Sequence, residues 1–142
     1  MGRRLSDYRA FGQEFFRSFQ STGAVAPSGR ALCCALARQI VPNGGPLRLL
    51  EAGPGTGVVT DQIIRRMGPD DTLDLVELND RFADILESRR TDDPHWQPAA
   101  PRLQIHRTAL EEYEADQPYD VIVSGLPLNN FDVATVERIL QQ

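Results

Sequence analysis

A chain of 142 residues, 41% of them hydrophobic and 25% charged, suits one domain with a modest core. No apolar run approaches the ~20 residues of a membrane span, and no secretory signal is visible, which speaks against a spanning or exported protein. The net charge of −5 is uneven: residues 1–40 carry six arginines against Asp7 and Glu14, and the remainder nine against eighteen acids, so the basic end is the partner-facing candidate.

The first element is an amphipathic helix. Leu5, Tyr8, Phe11, Phe15 and Phe19 recur every three or four residues, with Phe16 beside them and the arginines largely elsewhere. Such an aromatic face fits two roles, lying in an anionic membrane interface with arginines at the head groups, or packing as a lid on the domain that follows. Residues 1–20 are therefore set apart from a domain over 21–142. The opening Met1-Gly2-Arg3-Arg4-Leu5-Ser6 formally matches a myristoylation pattern, and six residues are read as chance. After a break around Gly23 and Pro27, a helix is expected to about Val41, with Ser28 as its N-cap. Cys33 and Cys34 are neighbours inside it. That is poor disulfide geometry and no metal spacing, so they are expected as small core residues in a reducing cytoplasm. All fifteen basic residues are arginine, a bias without a physical account here.

Pro42-Asn43-Gly44-Gly45-Pro46 breaks the chain again. Leu47, Leu49 and Leu50 then lead to Glu51, pass through Gly53, Gly55, Thr56 and Gly57, and re-emerge as a helical pattern of Val58, Val59, Ile63 and Met67. This reads as strand, tight turn and helix. Glycines are needed where the backbone takes positive φ or a ligand approaches closely. The dinucleotide fingerprint G-x-G-x-x-G fails, because Val58 stands where its third glycine belongs. A second strand follows, 73–78, in which Glu77 falls twenty positions after Gly57, where a ribose-binding carboxylate is expected, with Leu78 beside it.

Asn79 and Asp80 open a helix with Phe82, Ile85 and Leu86 on its apolar side. Residues 92–101 form a proline-rich loop holding Trp96 and an exposed, incidental His95. The third strand is 102–107, followed by Thr108 and Ala109. The fourth is 119–123, running into Ser124, Gly125, Leu126 and Pro127, and a last helical pattern uses Val133, Val136, Ile139 and Leu140.

The run Glu51-x-Gly53-x-Gly55-x-Gly57 resembles motif I of the class I S-adenosylmethionine (SAM)-dependent methyltransferases. The resemblance implies that Glu51 lies near the cofactor's amino-acid end, that Gly53, Gly55, Thr56 and Gly57 pass under its adenosine, and that Glu77 and Leu78 meet its ribose. A carboxylate facing an ammonium suits SAM, which has no pyrophosphate to seat. Family members commonly carry an aspartate at the adenine where Thr108 stands, so a main-chain contact at Ala109 is the alternative. Ser124 completes the implied cofactor set.

The phrase Gly23-Ala-Val-Ala-Pro-Ser-x-Arg30, after an aromatic helix and ahead of motif I, narrows the resemblance to bacterial phospholipid N-methyltransferases acting on phosphatidylethanolamine or ornithine lipids. These are similar to the ribosomal RNA adenine dimethyltransferases. The implied fold is α/β, a doubly wound Rossmann-like parallel sheet in the order 3-2-1-4, preceded by helices and lacking the last three of seven strands. Its fourth strand then forms an edge that invites pairing, so a truncated product and a homodimer are expected.

Ser124, Gly125, Leu126 and Pro127 match motif IV and are expected to position the acceptor. Unlike the Asn-x-Pro-Tyr of the RNA enzymes, they supply no aromatic platform for a base. The implied activity is methyl transfer to a lipid head-group amine, in the cytoplasm, with peripheral contact at the inner membrane face through residues 3–19. Nucleic acid is disfavoured. Rival readings are an rRNA adenine N6-methyltransferase, a small-molecule amine methyltransferase and a non-catalytic SAM-binding fragment.

Overall fold

The structure, a computed structural model, describes residues 27–124. The expected N-terminal aromatic helix, the acceptor residues Gly125, Leu126 and Pro127 and the last helical pattern lie outside the described residues. The elements run α1 (Pro27–Ala37), β1 (Arg48–Ala52), α2 (Val58–Ile64), β2 (Thr72–Val76), α3 (Asp80–Asp92), β3 (Leu103–His106) and β4 (Val121–Ser124). Helix α1 begins one residue before Ser28, which puts Ser28 in its first turn rather than at the cap, with Pro27 in the initial position that proline favours. It also stops at Ala37, short of Val41. Asn79 caps α3 as expected, its side chain accepting from the amides of Arg81 (3.0 Å) and Phe82 (3.3 Å).

All four strands are parallel, in the order β3-β2-β1-β4. The order reverses between β1 and β4, the crevice where doubly wound sheets bind ligands at the carboxyl ends of their strands. Alternation along the strands gives the sheet two unlike faces. One face presents Leu49, Leu73, Leu75 and Leu103, which pack with Ile63 of α2, Leu86 of α3 and the fully buried Trp96. Ala37 and Ile40, from α1 and the turn after it, close the same core. The other face carries Arg48, Asp74 and His106, covered by Tyr113 and Tyr119. Among the described residues no helix is long and apolar enough to cross a membrane.

The expected strand boundaries shift by one or two residues, two of them for a visible physical reason. Tyr119 and Asp120 precede β4 rather than opening it. Both are engaged at the amino end of the sheet, where Asp120 accepts from the Arg48 amide at 2.7 Å and donates its own amide to the Arg48 carbonyl at 2.8 Å. In the same way β3 loses Arg102, whose guanidinium donates to the carbonyls of Gly68 and Asp71.

Candidate cofactor site

The residues at the strand ends form one row across the sheet. His106 pairs with Val76, Val76 with Ala52, and Ala52 with Ser124. Gly53, Glu77 and the Thr108–Ala109 step therefore leave the sheet along the same carboxyl edge, next to Ser124. Parallel register brings together here what the sequence scatters over some seventy positions. Thr108 is half-buried, and Ala109 is buried ahead of a short 3-10 turn.

The glycine loop closes against β2. Gly53 donates its amide to the Val76 carbonyl (2.9 Å), and Gly55 donates to Glu77 Oε2 (3.0 Å). Glu77 also takes the Asn79 amide on Oε1 (2.8 Å), so this one carboxylate bridges the turn after β1 and the cap of α3. The carboxylate retains acceptor capacity for a hydroxyl donor. Burial pushes the Glu77 carboxyl above its ordinary range, opposed by the amides of Asn79, Gly55 and Leu78.

Gly53, Gly55 and Gly57 have φ of 68°, 58° and 86°, a region that L side chains rarely adopt. Gly55 and Gly57 nevertheless need glycine for different reasons. A Cβ at Gly55 would meet nothing within 4 Å, which leaves that side open to a ligand. At Gly57 it would stand 2.7 Å from Cζ2 of Trp96. At Gly57 the positive φ and the protein's own tryptophan together account for the glycine.

Glu51, the last residue but one of β1, has only 1% of its surface exposed. Its Oε2 accepts from Thr60 Oγ1 at 2.6 Å, and among the described residues Oε1 has no donor and neither oxygen has a cation. Burial pushes its carboxyl up to about 8; the Thr60 hydroxyl opposes the rise, and the negative Asp61 and Glu77 add to it. A buried carboxyl with one oxygen unpartnered is costly unless something supplies donors. An ammonium group fits that need, and with the open side of Gly55 and the remaining acceptor capacity of Glu77 these residues fit SAM.

Thr60, Arg89 and Trp96 were not among the residues read as functional from the sequence, although Trp96 carried a signal. A large aromatic in a polar, proline-rich loop must bury somewhere, and here it lies beneath the glycine loop. His95 is half-buried rather than exposed, its Nε2 3.3 Å from the Asp61 carbonyl oxygen.

No protein-family profile matches the chain. It is 28% identical to the ornithine lipid N-methyltransferase of Singulisphaera acidiphila over 127 residues, 89% of this chain and 65% of that protein. It is 33% identical to the tRNA1(Val) (adenine(37)-N6)-methyltransferase of Cronobacter sakazakii over 97 residues, 67% of this chain and 38% of that protein. The chain thus spans less than two thirds of either relative.

Among solved structures, the glycopeptide N-methyltransferase MtfA with sinefungin superposes with a TM-score of 0.63 at 16% identity, over 80% of this chain and 43% of that one. The same enzyme with SAM gives 0.60 at 16% identity, over 76% and 43%. The mitomycin 7-O-methyltransferase MmcR gives 0.59 at 20% identity, over 82% and 35%. The chain has the Rossmann-like fold of the class I SAM-dependent methyltransferases, and the curated proteins it matches in sequence are methyltransferases.

Proposed function

We propose that this chain binds SAM at the carboxyl edge of its sheet and serves methyl transfer to the amine of a phospholipid or aminolipid head group. The observation that carries the cofactor half is Glu51, a buried carboxyl without a counter-cation among the described residues, beside an open glycine turn. When bound, SAM supplies a methyl group on a sulfonium centre, ready for direct transfer to a nitrogen lone pair.

In this reading Glu51 receives the cofactor's ammonium, and Glu77, with Leu78 beside it, receives the ribose hydroxyls while holding the Gly55 amide. Thr56 belongs to the same turn, and Thr108 and Ala109 stand at the adenine side. Ser124, followed in sequence by Gly125, Leu126 and Pro127, holds the N–H groups of the acceptor so that its lone pair faces the methyl group. No covalent intermediate on the protein is required, and positioning carries the rate. Residues 3–19 provide peripheral contact with an anionic membrane.

The lipid acceptor is supported by the likeness to an ornithine lipid N-methyltransferase over 89% of the chain. A second reading, methylation of a nucleic-acid adenine, draws on the likeness to the tRNA enzyme, and the acidic balance of −5 weighs against it. The test offers labelled SAM with vesicles containing ornithine lipid or phosphatidylethanolamine, with free ornithine, and with transfer RNA. Label entering the lipid supports the proposal. Label entering RNA, accompanied by salt-sensitive RNA binding, supports the second reading. Deleting residues 1–19 is expected to abolish vesicle binding, and retained binding would favour the lid role.

A further inference from the structure

Gly57 is held from below by a pair of side chains, one from the last turn of α3 and one from the loop that follows it. The guanidinium of Arg89 spends all three nitrogens on this region. Nη1 donates to the carbonyls of Thr56 (3.0 Å) and Gly57 (3.2 Å), Nη2 to Asp61 Oδ1 (2.7 Å) and Asp93 Oδ2 (2.8 Å), and Nε to Asp93 Oδ2 (3.2 Å). The same guanidinium lies 4.5 Å over the Trp96 ring, whose Nε1 donates to Asp61 Oδ1 at 2.7 Å.

Two successive loop carbonyls are thus pinned by one cation. Because each peptide is planar and trans, pinning the Gly57 carbonyl also turns the Val58 N–H away from Arg89, out of the start of α2. The Trp96 ring fills the place of a Gly57 side chain and blocks the loop from sinking into the core. Arg89 can span Thr56, Gly57, Asp61 and Asp93 at once because its donors form a rigid planar fork, which a lysine lacks.

We propose that Arg89 and Trp96 are positioning residues that set the shape of the Thr56–Gly57 turn before the cofactor arrives, so that cofactor affinity depends on a guanidinium outside the binding surface. The inference rests on the reading of this loop as the SAM site. A loop already in its bound shape loses less entropy on binding, so loosening it appears as weaker affinity.

The test is calorimetric titration of wild type, Arg89→Lys and Arg89→Met with S-adenosylhomocysteine, at a temperature where circular dichroism shows each folded. The expected order is wild type, then Lys, then Met, with Met about tenfold or more weaker. Amide NMR shifts of Gly57 and Val58 should move in the cofactor-free variants, while amides of β3 stay in place. Asp93→Asn, which loosens Arg89 without touching the loop, should weaken binding about threefold and decides the matter if the Met variant fails to fold. Folded variants that bind within twofold of wild type would overturn the inference alone. Absence of binding by wild type would overturn the cofactor reading beneath it.

Discussion

Glu51 and Asp74 stand on adjacent strands, both buried, and face opposite sides of the sheet. Asp74 is surrounded by partners: Tyr119 donates to its Oδ2 at 2.7 Å, Arg48 lies 3.5 Å from the same oxygen, and His106 Nε2 sits 2.8 Å from Oδ1. The network extends to Tyr113, whose hydroxyl is 2.6 Å from that of Tyr119. Burial, reinforced by Asp74 and Tyr113, holds the Tyr119 hydroxyl well above its ordinary range, so it remains a donor. Among the described residues Glu51 has one hydroxyl donor and a bare oxygen. The difference separates scaffold from site: a buried carboxylate whose partners are complete belongs to the structure, and one whose partners are missing is positioned for something that arrives.

The sharpest break of this contrast is Asp74→Ala, which takes from His106 and Tyr119 the acceptor they share and leaves Arg48 with Asp116 and the Gln117 carbonyl. It should cost about 3 kcal/mol or more in urea unfolding, while the folded fraction keeps its S-adenosylhomocysteine affinity. Glu51→Gln should do the reverse. It keeps an acceptor for Thr60, so the fold persists, and it removes the charge-assisted partner, weakening S-adenosylhomocysteine by about tenfold to a hundredfold. Equal losses of stability in the two variants would erase the distinction.

A more gradual effect comes from pH. The Glu51 carboxyl is raised from 4.5 to about 8 in the folded protein, so between those values the folded state holds a proton that the unfolded chain releases. Cofactor-free protein should therefore lose stability as pH climbs through that window, by on the order of 1 kcal/mol per pH unit, and level off above 8. Glu51→Gln should flatten the slope, and thermal melts at stepped pH would show it. An unchanged slope in the variant would place the titrating group elsewhere.

What sequence reasoning could reach follows the range of the interactions. The strands, the glycine turn, Glu51 and Glu77 are written in short contiguous stretches, and parallel pairing carried them to one edge without further information. The roles of Gly57 and Arg89 were hidden because their partners lie about thirty or more residues away. Asp74 stands between Leu73 and Leu75, where nothing local shows what it pairs with. An acid at the centre of a buried parallel strand was itself the clue, since it requires donors that only tertiary packing supplies. Tyr113, Tyr119 and His106 supply them from loops and a neighbouring strand.

The most direct test of the central claim is calorimetric titration of the chain with S-adenosylhomocysteine, with NAD as control. Micromolar binding of S-adenosylhomocysteine and no heat from NAD is the predicted result. No binding of S-adenosylhomocysteine, or equal binding of NAD, would contradict the assignment of Glu51 and the glycine turn as a SAM site.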